Sequence, residues 1–247
     1  MPIVFEVCVN SVASAIAAAR GGAARIELCS ALSEGGITPS AGLIDAVREV
    51  VNIDVFVIMR PRGGDFVYSH EELAVMRKDI VEAKGRKVNG IVLGVLTKEA
   101  VVDIAATSAL IDLARPLSVT FHRAFDVCPN SDRALQDVIA CGADRILTSG
   151  GEADALCGAA GIAHLKAIAG EQIGIMAGGG IRSSNVRTVI LNTGVREVHT
   201  SLSRDVLAPR NSDAGECGSY LNTSKSFQVF EQDVRAFRNE LDRLQPK

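Results

Sequence analysis

The sequence predicts an α/β protein of the closed, single-domain (β/α)8 class, the TIM barrel, and three observations carry that prediction. Eight short β-branched apolar runs recur along the chain, helical patterns fill the intervals between them, and no linker-like stretch divides the 247 residues. An open doubly wound sheet would more often use five or six strands, so the repeat count favours closure. Barrels commonly use this length as one domain, and the expected unit is residues 1–247.

The expected strands lie at about 3–9, 24–29, 54–60, 89–95, 117–122, 144–149, 173–177 and 196–201. Of the helices between them, the Ala-rich 12–20 stops at Gly21-Gly22, and 40–51 is entered through Pro39-Ser40. The segment 70–86 opens on Ser69 and Glu72, a capping box in which each side chain satisfies a backbone N–H that the first helical turn leaves free. Later helices are expected to start at Glu99, Ser131, Ala153 and Ser183. The last, at about 227–244, puts Phe230, Val234, Phe237, Leu241 and Leu244 on one stripe. Ahead of it the polar segment at about 202–227, with Pro209, Gly215 and Gly218, is read as a long eighth βα loop, either a lid or interface segment or a plain surface loop, with Cys217 exposed in it.

Composition narrows the function classes. The net charge is −3 with Lys and Arg spread along the chain, which is not the footprint of a nucleic-acid binder. The apolar runs stop well short of the roughly 20 residues a membrane-spanning helix requires. Met1-Pro2-Ile3-Val4-Phe5-Glu6 has neither a basic n-region nor a long apolar h-region. The six cysteines are scattered without CxxC or zinc-like spacing, so free thiols in a reducing cytoplasm are expected.

Barrel active sites sit at the carboxyl ends of the strands, and here those ends are polar. The first two strands finish alike, Glu6-Val7-Cys8 and Glu27-Leu28-Cys29. Residues two apart on a strand share a face, so neighbouring strands would bring two carboxylates and two thiols together. Arg60 and Arg62, His122, Ser149, Gly178 to Gly180, and His199 with Ser201 complete the mouth. Buried carboxylates need partners, and Arg60, His122 or His199 are expected to compensate Glu6 and Glu27.

Arg60-Pro61-Arg62-Gly63-Gly64-Asp65-Phe66, Thr120-Phe121-His122-Arg123-Ala124-Phe125-Asp126, Leu147-Thr148-Ser149-Gly150 and Glu197-Val198-His199-Thr200-Ser201 resemble the signature blocks of the CutC family, named for copper homeostasis. Gly35-Gly36-Ile37-Thr38-Pro39-Ser40 is similar too, and the blocks run in family order from about residue 3 to 201. The chain departs from the pattern at Gly151, where the family usually has Gln, and around Glu99-Ala100. The resemblance implies a TIM-like barrel, a homo-oligomer with a dimer as the expected form, and copper binding through cysteines matching Cys8 and Cys29.

Two chemistries fit these residues. Thiolates are soft ligands that favour Cu(I), and Met176 or a nearby His would add a donor to Cys8 and Cys29. A tetrahedral zinc site is disfavoured, because no third and fourth ligand arrives at zinc-like spacing. Alternatively the chain is an enzyme acting on a small anionic or phosphorylated metabolite. Glu6, Glu27, His122 and Asp126 would then serve as acid/base groups, with Arg60 and Arg62 clamping the anion. Gly178 to Gly180 with Ser149, His199 and Ser201 would offer the phosphate-binding end.

Overall fold

Eight parallel strands close on themselves in the computed structural model of the chain, which describes residues 3–207 and 225–244. They are β1 (Val4–Val9), β2 (Arg25–Leu28), β3 (Asp54–Ile58), β4 (Gly90–Leu93), β5 (Ser118–Phe121), β6 (Arg145–Thr148), β7 (Gly174–Ala177) and β8 (Glu197–Thr200). Each pairs with the next in sequence, and β8 returns to β1 with Glu6 opposite His199. The surrounding helices are α1 (Val12–Arg20), α2 (Ala41–Val50), α3 (His70–Gly85), α4 (Ile104–Ala114), α5 (Ser131–Ala140), α6 (Ala159–Ala169), α7 (Val186–Thr193) and α8 (Glu231–Asp242). The capping box at the start of α3 forms as the sequence predicts, with Ser69 and Glu72 each accepting the other's backbone N–H.

Strand alternation divides the interior in two. Outward residues such as Phe5, Val7, Ile26, Leu28, Val55, Val57, Ile91 and Val198 pack under the helices in one continuous apolar layer. Inward residues form a separate, smaller cluster of Cys8, Cys29, Phe56, Ile58 and Val92, and beside it the barrel is filled with charge. Room for large inward side chains comes from glycine on neighbouring strands. A Cβ at Gly90 would stand 2.5 Å from the Phe56 ring. Gly90→Ala is therefore expected to overpack the barrel interior at a cost of roughly 1–3 kcal/mol, read as a lowered urea midpoint. An unchanged midpoint would mean the ring has a second place to go.

Several boundaries differ from the expectation, each for a local reason. Helix α4 begins at Ile104 instead of Glu99, because Asp103 caps it by accepting from the Ala106 N–H at 2.9 Å. Before that cap the chain turns back through a Leu96–Val102 bridge. Helix α6 begins at Ala159 instead of Ala153, since Asp154 folds the preceding turn around the Leu156 and Cys157 N–H groups. Helix α7 begins at Val186, three residues past Ser183. The long eighth loop is also not plain coil. Its ends pair as an antiparallel two-stranded sheet, β9 (Ser203–Leu207) with β10 (Lys225–Val229), so α8 starts at Glu231 and not at 227. Residues 208–224, Cys217 among them, lie outside the described residues.

Candidate metal centre in the barrel mouth

A cavity of about 250 Å³ opens at the carboxyl ends of the strands. Cys8, Glu27, Cys29 and His199 form one wall, Arg60, Phe66, His122 and Arg123 another, and Gly35, Gly36, Ile58 and Leu147 complete the lining. The two thiols come from adjacent strands. In the β1/β2 register Cys8 stands opposite Glu27, and the ladder continues one step further as the Cys29 N–H donates to the Val9 carbonyl. That stagger leaves the Cys8 and Cys29 sulfurs 3.5 Å apart, both buried and unbridged. The neighbouring Cys29 thiol, burial and the nearby carboxylates push the Cys8 thiol well above its ordinary range, so Cys8 is protonated in the free site.

Below the thiols lies a layer of paired charge. Arg25 donates to Glu6 at 2.5 Å and to Glu197 at 2.9 Å, and Arg145 donates to Glu197 at 2.6 Å. Both guanidinium groups lie over the Phe56 ring, at 4.7 and 5.7 Å. His199 Nδ1 sits 2.7 Å from Glu6 and 3.4 Å from Glu27. Burial opposes ionisation of Glu6, but Arg25 and His199 overcome it and hold the carboxyl down at about 2. Glu27 has no such fork beside it, and burial carries it up to about 7, with Glu6 adding to the rise and His199 and Arg25 opposing it. Burial lowers His199, yet the carboxylates of Glu27 and Glu6 outweigh it and raise the ring above its usual value.

The partners of Glu6 and Glu27 are thus Arg25 and His199, and the expected compensation by Arg60 and His122 does not occur. Arg60 lines the cavity but spends its fork on the carbonyls of Glu34, Gly36 and Gly64, at 2.6, 3.0 and 2.7 Å, tying the loops after β2 and β3 together. His122 Nδ1 accepts from the Ala124 N–H at 3.1 Å. Burial, helped by Arg60, drops this imidazole to about 3, so it is neutral and Nε2 carries the remaining proton. Nε2 has no hydrogen-bond partner among the described residues.

Other expected mouth residues stand elsewhere. Asp126 faces away from the cavity, where it takes the Ser149 and Gly151 N–H groups, the Thr148 hydroxyl and the Arg123 guanidinium. Ser149 belongs to that same knot, bonded to Arg123 and the Glu152 carbonyl. Arg62 pairs with Glu72 at 2.6 Å and Asp65 at 2.9 Å outside the cavity. Met176 sulfur is occupied by Arg25, 3.2 Å away, and is not available to the thiols. Gly178 is a packing position, where a Cβ would stand 2.4 Å from Leu147 and 3.2 Å from His199. At Gly179 the same atom would meet Arg123 and Ser149, and at Gly180 it would meet Asp154. Ser201 follows β8, off the cavity wall. Arg25 and Arg145 are not singled out by the sequence, and Glu197 and Phe66 stand there only as members of the family blocks, although the inward alternation Arg25-Ile26-Glu27-Leu28-Cys29 holds the signal for the first.

Comparison with known proteins agrees with this architecture. A model described as the CutC family matches residues 3–204. A family protein CutC of Chromobacterium violaceum is 41% identical over 246 residues, covering 98% of this chain and 100% of its own. The copper homeostasis protein cutC homolog of Mus musculus is 45% identical over 228 residues, 91% of this chain and 84% of that one. Among solved structures, a CutC protein of Streptococcus agalactiae superposes with a TM-score of 0.76 at 34% identity, covering 81% of this chain and 98% of that chain. A thiamine phosphate pyrophosphorylase of Pyrococcus furiosus, at TM-score 0.60 and 14% identity over 99% of this chain and 97% of that one, shares the fold alone.

Proposed function

The chain belongs to the CutC family, and from that premise we propose that it serves copper homeostasis by binding Cu(I) between Cys8 and Cys29. One observation carries the reading: two buried, unbridged sulfurs 3.5 Å apart open onto a cavity. Two thiolates are the donor pair a soft monovalent ion selects over carboxylate or water. Because the Cys8 thiol is held protonated, the incoming ion displaces its proton into the cavity, and uptake releases acid. The resulting two-thiolate complex carries one negative charge. As part of the same proposal the protein works in the cytoplasm as a homodimer; among the described residues no helix is long and apolar enough to cross a membrane.

Anaerobic titration against a Cu(I) chelator is expected to give one tight site per chain, abolished by the double change Cys8→Ser and Cys29→Ser. Stoichiometric tight binding by the double variant would refute the assignment and move the ion to other thiols. A second reading, an enzyme acting on a small anionic metabolite, draws on a different observation. Glu27, at about 7, is poised to exchange a proton near neutrality in a cavity whose lining also includes Arg60, His122 and Arg123. In that reading His122 is not the base, and Asp126 has no part.

A further inference from the structure

We propose that Cys8, Glu27 and His199 form a second metal site, distinct from the Cys8–Cys29 pair, that takes a borderline divalent ion of the Zn²⁺ or Co²⁺ type and leaves a coordination position open to the cavity. One donor atom from each of the three lies within 4.8 Å of the other two, and Cys29 stands outside this group. They come from three consecutive strands around the closure of the barrel, with Cys8 opposite Glu27 and His199 opposite Glu6. Such positions are held by the sheet itself. Separation in sequence, across residues 8, 27 and 199, is why no zinc-like spacing is visible in the chain.

The surroundings of His199 point the same way. Glu6 is a buried carboxylate fixed by Arg25 at 2.5 Å, so it accepts, and His199 Nδ1, 2.7 Å away, is the donor. A histidine whose one ring nitrogen donates to an anchored carboxylate has its tautomer and orientation set, and its other nitrogen presents a lone pair once deprotonated. Metal-binding histidines are supported in this way almost without exception. Glu6 is thus a positioning residue for the His199 ring. One thiolate, one imidazole and one carboxylate make a borderline donor set with two negative charges, which neutralises a divalent ion and suits Zn²⁺ or Co²⁺ better than Cu(I). Three protein ligands beside a cavity of about 250 Å³ is the open arrangement in which a fourth position holds water or a ligand oxygen. The site shares Cys8 with the Cu(I) reading but does not depend on Cys29, so the two ions exclude each other and the two ideas can fail separately.

The test is an anaerobic Co²⁺ titration of the reduced, metal-free full chain, with Zn²⁺ competition. One equivalent of Co²⁺ should develop a thiolate-to-cobalt band in the near ultraviolet together with intense visible d–d bands. Cys29→Ser should retain both, with affinity changed by less than about threefold, while losing Cu(I). His199→Ala should weaken Co²⁺ at least tenfold, a loss reported even for supporting groups around such sites. Glu27→Gln, a smaller change, gives the same reading should His199→Ala misfold by circular dichroism. Cu(I), added at one equivalent, should bleach the cobalt spectrum through the shared Cys8. Loss of the cobalt bands in Cys29→Ser with no effect of His199→Ala or Glu27→Gln would place the divalent ion on the thiol pair and overturn the proposal. So would a folded wild type that gives no cobalt spectrum, or cobalt bands that persist after Cu(I) has bound.

Discussion

Arg25→Met is expected to destabilise the protein by about 3–5 kcal/mol, the cost of removing one partner from a buried ion pair. At 2–4 °C per kcal/mol for a chain of this size, that is roughly 6–20 °C in Tm. The side chain is buried, bridges Glu6 and Glu197, and lies over Phe56. Methionine replaces the aliphatic stem but leaves Glu6 with His199 alone and Glu197 with Arg145 alone. Converting the stranded carboxylate as well, in Arg25→Met with Glu6→Gln, should recover a large part of the loss, because the penalty lies in the uncompensated charge and not in the missing contact. Scanning calorimetry at neutral pH reads both. A shift under 2 °C in the single variant would mean that water reaches Glu6 and that the layer is not a sealed network.

Acid should weaken the protein through His122, and the sign follows from which state holds the proton. The ring titrates near 6.5 when unfolded but at about 3 when folded, so between those values the unfolded chain binds the extra proton and the native one does not. The stabilisation is complete above pH 6.5 and is lost as pH falls toward 3. Over 6.5 − 3 = 3.5 pH units, at 1.36 kcal/mol per unit, the loss is on the order of 4–5 kcal/mol. His122→Asn retains an acceptor for the Ala124 N–H and removes the titration. Urea unfolding from pH 7.5 down to pH 4 should therefore show the wild type losing about 3 kcal/mol more than the variant. Parallel profiles would mean that the ring is already solvated, or protonated, in the folded state.

The barrel was legible because its grammar is local. Each strand and each helix announces itself within a dozen residues, and the count of eight then fixes closure. Alternation within one strand was enough to put Cys8 beside Cys29 in the barrel mouth. What alternation could not supply was the opposite wall. That Glu6 meets His199 depends on β8 closing onto β1 across most of the chain, a relation no sequence window contains. Arg25 opens its strand, where a charge reads as a solvated edge, and only its position over Phe56 in the closed barrel shows it to be interior. Gly178 to Gly180 also carry a packing role that no sequence window shows, since the space beside them is taken by Leu147, Arg123 and Asp154. The β9/β10 pair escaped notice because Ser203-Arg204-Asp205 carries too much charge to read as a strand when its partner lies some twenty residues away.

The layer of Arg25, Glu6, Glu197 and Arg145 also decides traffic. Glu197 belongs to the depression at the amino ends of the strands and His199 to the cavity at the carboxyl ends, and the paired guanidinium groups over Phe56 stand between them. Among the described residues a layer of paired charge thus lies between the two depressions. Under the copper reading proposed above, an ion at Cys8 would leave by the cavity through which it entered, past Arg60, Phe66 and His122. A molecule taking such an ion would then have to present its own ligands at that cavity, and the transfer would be a ligand substitution there and not a passage through the barrel.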